Sequence, residues 1–199
     1  MPAVPYVDIA TLDPQSLAVF DRVAATTGFV PNSLLTYFHR PAIGRAILGM
    51  MGAVYGDPDS TLPPAIKGKL GLLCSAINGC AYCTSHQCHV ASHPPGGAAG
   101  LSEAQVRDLV SGADLGADPL EQACFTYARA ASFDPNSVSP EMLVDLQTVL
   151  TPAQLVELAG IVGVWKMVNT IHDSLNLPIE DAVAGHAGLI AAAGLEVAA

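Results

Sequence analysis

Asn78-Gly79-Cys80-Ala81-Tyr82-Cys83-Thr84-Ser85-His86-Gln87-Cys88-His89 is the stretch on which the reading of this chain turns. Asn78-Gly79 interrupts an apolar helical pattern, because glycine tolerates the left-handed backbone that ends a helix, and Cys80 then stands where the next helix opens. Cysteines three apart on a helix share a face, so Cys80 and Cys83 make a dithiol. Such a pair is either a redox couple or half of a metal site. Thiolate is the reactive and ligating form in both cases, and it requires a lowered pKa. A thiolate in the first turn meets unsatisfied backbone N–H groups and the positive end of the helix dipole, an argument that favours Cys80 as the more acidic thiol.

On either side the chain reads as helix after helix with no convincing strand, an all-α fold. Residues 14 to 27 place Leu17, Phe20, Val23 and Ala24 at helical spacing before Gly28, and Pro31-Asn32 opens another short helix. Residues 41 to 55 start at Pro41, are predicted to bury Ile43, Ile47, Met50, Met51 and Val54, and stop at Gly56. Pro63 and Pro64 suit the first turn of the helix that runs to Asn78. Beyond the cysteine helix, predicted to end near Ser92, the run Pro94-Pro95-Gly96-Gly97 reads as a loop or hinge. Four further helix starts are marked by Ser102 with Gln105, Asp118-Pro119 with Glu121, Ser139-Pro140, and Thr151-Pro152 with Gln154. The longest helix, about 152 to 173, carries Leu155, Leu158, Val162, Trp165 and Val168 on its apolar side. The Ala/Gly-rich stretch from Gly185 to Ala199 reads as a mobile tail.

With 199 residues, the chain is expected to form a single domain over residues 1 to 199. Hydrophobic residues make up 51% and charged ones only 13%, where about 25% charged is usual. That excess of apolar surface predicts a homo-oligomer with a buried interface. A net charge of −10 opposes nucleic acid and anionic membrane surfaces. The first residues show no secretory signal and no apolar run reaches the roughly 18 residues of a membrane span, so the reading places the protein in the cytoplasm. Five cysteines, an odd number, argue for reduced thiols rather than a disulfide framework.

Four stretches together resemble the AhpD-like and carboxymuconolactone decarboxylase superfamily, in its longer, peroxidase-related branch. They are Gly28-Phe29-Val30-Pro31-Asn32-Ser33-Leu34-Leu35; Leu62-Pro63-Pro64 leading to Asn78-Gly79-Cys80-Ala81-Tyr82-Cys83; Thr84-Ser85-His86; and Trp165 through Asn169 with Asp173. The resemblance spans residues 28 to 177. It implies a helical subunit that assembles into dimers, trimers or hexamers, with the dithiol in a partly buried pocket at a helix N-terminus. It also implies that Cys83 attacks a hydroperoxide while Cys80 resolves the sulfenic acid to a disulfide. The electrons would come from a small dithiol or a protein reductant.

Two positions depart from that pattern. The family's proton relay has a glutamate twelve residues before the first cysteine, where this chain has Gly68, and a histidine four residues after the second, where it has Gln87. Glutamine takes no proton. His86, three residues after Cys83, is the expected substitute base. The candidate catalytic set is therefore Cys80, Cys83 and His86. Lys67 and Lys69 read as ordinary solvated charges. Cys74, Cys88 and Cys124 read as small buried hydrophobes.

No glycine fingerprint for a nucleotide is present, so no cofactor is expected. A metal among Cys80, Cys83, His86, Cys88 and His89 is not expected either, because Cys88 points away from Cys83 and no second ligand cluster follows at distance. His86, His89 and His93 form one helical stripe. Asn169, His172 and Asp173 read as a C-terminal cap cluster or as pocket lining. Loss of the relay keeps two other functions in view: a cofactor-free lyase or isomerase acting on a small organic acid or lactone through a histidine such as His86, and a catalytically inactive member that keeps the fold.

Overall fold

The computed structural model describes residues 2–92, 101–112 and 118–194, and among them every regular element is a helix. The sequence punctuation is obeyed closely at the front of the chain. Helix α1 (Pro14–Thr27) opens on Asp13, whose carboxylate accepts the Ser16 amide, and closes on Gly28 in the left-handed conformation with φ of 81°. Short α2 (Asn32–Tyr37) leads into α3 (Pro41–Tyr55). Helix α4 (Pro64–Ile77) follows, then the cysteine helix α5 (Ala81–Ser92).

Helix α6 (Glu103–Ser111) begins with a full capping box between Ser102 and Gln105. The α7 (Pro119–Phe133) and α8 (Pro140–Val149) helices are capped by the side chains of Asp118 and Ser139. The long α9 (Pro152–Ser174) repeats the capping box with Thr151 and Gln154. Two short helices, α10 (Asp181–Ala184) and α11 (Ala187–Ala192), finish the described chain.

Helix α4 is the centre of the bundle, packed by α5, α7 and α9. Its residues Ile66, Leu70, Leu72, Leu73 and Cys74 are all buried on different sides, as expected of a helix surrounded by others. Trp165 of α9 lies against Gly71 so closely that a Cβ there would approach its ring to 3.1 Å. The core extends through Phe20, Leu34 and Phe38 on one side and Val106, Phe125 and Leu158 on the other.

Three expectations need correction. In α3 the buried line is Gly44, Ile47 and Val54, whereas Ile43 and Met50 are 50% and 39% exposed. Phe38 sets that rotation, because its ring lies 2.7 Å from where a Gly44 Cβ would stand and only glycine admits it. Lys67 is no solvated charge; it is buried, ion-paired with Glu157, and donates to the Val54 carbonyl at 2.9 Å. Lys69 is half-buried and pairs with Glu121 at 2.7 Å.

The stretch from Gly185 forms α11 (Ala187–Ala192) and is described as far as Gly194, with Ile190 fully buried in the core. Residues 195–199 and the Pro94–Gly97 run lie outside the described residues. No helix among the described residues is long and apolar enough to cross a membrane.

Candidate active site

The Asn78-Gly79 turn builds the site. Gly79 adopts φ of 76°, its N–H donates to the Ala76 carbonyl and the Cys80 N–H to Ser75, which is the paired hydrogen-bond pattern of a glycine helix stop. The chain is thereby turned so that the Cys80 carbonyl accepts the Thr84 amide as the first bond of α5. The Cys80 sulfur accepts the Cys83 N–H at 3.3 Å, so the thiol serves as the helix cap. The expectation that Cys80 opens this helix holds geometrically.

Cys83, one turn later, meets a residue from the far end of the chain. Its Sγ lies 2.9 Å from Nδ1 of His172, near the end of α9. The opposite ring nitrogen, Nε2, bonds the Tyr37 hydroxyl, and the Tyr37 ring stacks on the imidazole at 5.5 Å. Both sulfurs and a His172 nitrogen fall within 4.8 Å of one another. Cys80 is fully buried and Cys83 is 2% exposed, more enclosed than the partly open pocket expected.

Burial governs the protonation states here. It raises the Cys83 thiol well above its ordinary value, and the neighbouring Cys80 and the Asp173 carboxylate add to the rise. Burial also lowers His172 from 6.5 to about 3, with His86 lowering it further and Glu180 opposing. The resting pair is therefore a neutral thiol beside a neutral imidazole. A neutral ring bonded at both nitrogens has one donor and one acceptor. With Nε2–H directed to the Tyr37 oxygen, Nδ1 is free to accept the Cys83 proton.

His86 is placed differently from the expectation. Its Nε2 donates to Oε2 of Glu180 at 2.8 Å and its ring packs on Tyr82 at 4.5 Å. The imidazole in contact with Cys83 is His172, because the Glu180 carboxylate holds His86 on the other side of Tyr82. Glu180 also accepts the Tyr82 hydroxyl at 2.7 Å and the Asn32 amide, while Tyr82 accepts the Ser33 N–H at 3.1 Å. These bonds hold Glu180 below the usual carboxylate range, the His86 contact contributing most, although burial works against them. The Tyr82 ring then meets His172 edge-on at 4.8 Å. The Phe29-to-Ser33 stretch and the α9–α10 connection are thus tied together over the dithiol helix.

Gly68 and Gln87, the positions of the absent relay, both line a cavity of about 450 Å³ together with Lys67, Tyr55, Val90 and Trp165. Neither holds a group able to exchange a proton with Cys83. Cys74, Cys88 and Cys124 are fully buried, and burial pushes each thiol up to about 12. They are packing groups. Among the described residues, the cluster geometrically able to hold a metal ion is Cys80, Cys83 and His172, not the histidines of α5.

Sequence reasoning singled out Cys80 and Cys83 and left His172 open between a helix cap and pocket lining, but it did not single out Tyr37 or Glu180. One signal was available for His172, which continues the buried stripe of Leu158, Val162, Trp165 and Asn169 along α9. An imidazole on such a stripe is buried and requires partners.

No family model matches the sequence, and neither does any curated protein. Solved structures do match. The apo form of the debrominase Bmp8 superposes with a TM-score of 0.71 over 90% of this chain and 92% of that one, at 22% identity. A cysteine-to-alanine variant of Bmp8 in complex with 2,3,4-tribromopyrrole superposes with a TM-score of 0.78 over 94% and 96%, again at 22% identity. An uncharacterized peroxidase-related protein from Ralstonia eutropha JMP134, described as an alkylhydroperoxidase AhpD core, gives 0.74 over 90% and 93% at 22% identity. The likeness is one of fold: this chain has the AhpD-like helical fold.

Proposed function

We propose that this chain of AhpD-like fold is a thiol-dependent oxidoreductase, in which the Cys80–Cys83 dithiol delivers two electrons to a small molecule and becomes a disulfide. An organic hydroperoxide is the favoured substrate. The observation that carries the reading is the contact of 2.9 Å between Cys83 Sγ and His172 Nδ1, with the Cys80 sulfur in reach of both. It supplies a nucleophile, a base and a resolving thiol at one point. The reading also retains a homo-oligomer, supported by the exposure of Phe133 at 78%, Val156 at 73% and Val144 at 59% on the isolated chain.

In this reading Cys83 rests as a thiol, since its dry surroundings disfavour the anion. Its sulfur attacks the distal peroxide oxygen while His172 Nδ1 takes the thiol proton. The O–O bond breaks, the proton passes to the departing alkoxide, and an alcohol leaves with Cys83 as sulfenic acid. Cys80 then attacks the Cys83 sulfur, its proton combines with the displaced hydroxide, and water departs as the disulfide closes. A small dithiol or a protein reductant returns two electrons and two protons.

The likeness to a debrominase supports a second substrate class, a halogenated aromatic. Attack of the Cys83 sulfur on bromine leaves the ring carbon to take a proton, and Cys80 then displaces bromide to form the same disulfide. The products are the dehalogenated ring, bromide and a proton.

The test maps the thiols of the reduced protein after one equivalent of cumene hydroperoxide, or of a bromopyrrole. Two thiols should disappear from the peptide containing residues 80 and 83. Cys80→Ser should stop at a sulfenic acid on Cys83 that a dione reagent traps. Unchanged turnover in Cys83→Ser, or activity that survives alkylation of every thiol, would overturn the reading, and the latter result would favour a lyase using His86.

A further inference from the structure

We propose that Cys80, Cys83 and His172 form a three-ligand site for a thiophilic divalent cation, Zn²⁺ in the first instance. The proposal does not rest on the redox reading, because a dithiol can bind an ion whether or not it reduces anything.

Ligand spacing is the first argument. A tetrahedral zinc with bonds of about 2.3 Å to sulfur and 2.0–2.1 Å to nitrogen sets its ligand atoms roughly 3.5–3.8 Å apart. Here the three donor atoms already lie within 4.8 Å of one another on two helices, α5 and α9. Small side-chain rotations suffice to converge them. The Cys83 sulfur and His172 Nδ1, now 2.9 Å apart, would separate slightly to admit the ion between them.

The surroundings are the second argument. A ligating imidazole almost always gives its other N–H to an oriented partner, and Tyr37 bonds His172 Nε2 in that position. The Cys83 N–H already donates to the Cys80 sulfur, so one lone pair of that sulfur is occupied and the thiolate is supported from the backbone.

Charge is the third argument. A single thiolate in a site where Cys80 is 0% and Cys83 2% exposed is unfavourable, because it is an unpaired ion removed from water. Two thiolates around a divalent cation are neutral as a unit, so the same burial that opposes the bare anion retains the complex. Three protein ligands leave the fourth position for water or an exogenous thiol. Among the described residues, His86 belongs to no such cluster, and Glu180 already engages it.

The test titrates the reduced full-length protein with Co²⁺ under anaerobic conditions, then displaces the cobalt with Zn²⁺. One ion per chain is expected, with thiolate-to-cobalt charge-transfer absorption and proton release on binding. Cys80→Ser, Cys83→Ser and His172→Ala should each weaken binding by more than the 10–100-fold typical of losing an outer-shell partner, and Tyr37→Phe should fall within that range. Absence of the charge-transfer band in wild-type protein overturns the proposal. So does equal binding by the Cys80→Ser/Cys83→Ser double variant, which would place the ion elsewhere. The band and the proton release are read on the wild type, so a variant that fails to fold does not decide the outcome. Peroxide turnover is scored separately on metal-free protein, and either result can fail without the other.

Discussion

Replacing His172 with glutamine should make the protein's stability less sensitive to mild acid, and the structure supplies the size of the effect. The folded protein holds His172 at about 3 against an ordinary 6.5, with burial as the main cause. Between those values the unfolded chain binds a proton that the folded chain refuses, so stability rises with pH across this window and falls as pH drops below 6.5. Each unit is worth about 1.4 kcal/mol, so at pH 5 the wild type should have lost roughly 2 kcal/mol from this one residue.

Burial raises Asp173 above its ordinary range, but that group is present in wild type and variant alike, so the comparison between them isolates His172. Glu180 has a lowered folded pKa, so its contribution is lost only as pH falls through the acid range below 4.5. Glutamine keeps a side chain able to bond Tyr37 and Cys83 but does not titrate. Urea unfolding of metal-free, reduced wild type and His172→Gln at pH 7 and pH 5 gives the comparison. The wild type should lose about 2 kcal/mol more than the variant over that interval. Equal losses would refute the neutral imidazole, and with it the assignment of His172 as the proton acceptor for Cys83.

Three further outcomes are expected. Gly79→Ala should cost about 1–2 kcal/mol, because alanine resists the φ of 76° while no neighbouring atom obstructs the new Cβ; thermal melts would read it, and no loss would show that the turn relaxes freely. Glu180→Gln removes the carboxylate that accepts the His86 hydrogen bond and weakens the acceptor for Tyr82 and Asn32, which should cost about 1–3 kcal/mol in urea unfolding. Lys67→Met leaves Glu157 with the Ser60 hydroxyl but no cation and should cost about 3 kcal/mol, while adding Glu157→Leu should recover most of it; failure of the double variant to recover would show that packing rather than charge holds this pair.

Local chemistry explains what could be read without coordinates. Pro14 and Pro41, Gly28, Ser102 with Gln105 and Thr151 with Gln154 mark helix ends through proline's fixed φ, glycine's tolerance of positive φ, and reciprocal side-chain caps, all of which act within four residues. The dithiol was legible for the same reason. The face of α3 was not, because Ile43, Ile47, Met50 and Val54 are all apolar and the choice among them is made by what the helix packs on, the Phe38 ring against Gly44 and α9 at Gly160 against Val54.

The sequence by itself determined an all-helical chain with two cysteines on one turn behind a glycine stop. Tertiary structure alone decided the chemistry around them. His172 reaches Cys83 across 89 residues and Glu180 reaches His86 across 94, so no spacing rule joins either pair. Burial adds what no local rule supplies: removal from water disfavours the Cys83 anion and raises that thiol well above its ordinary value.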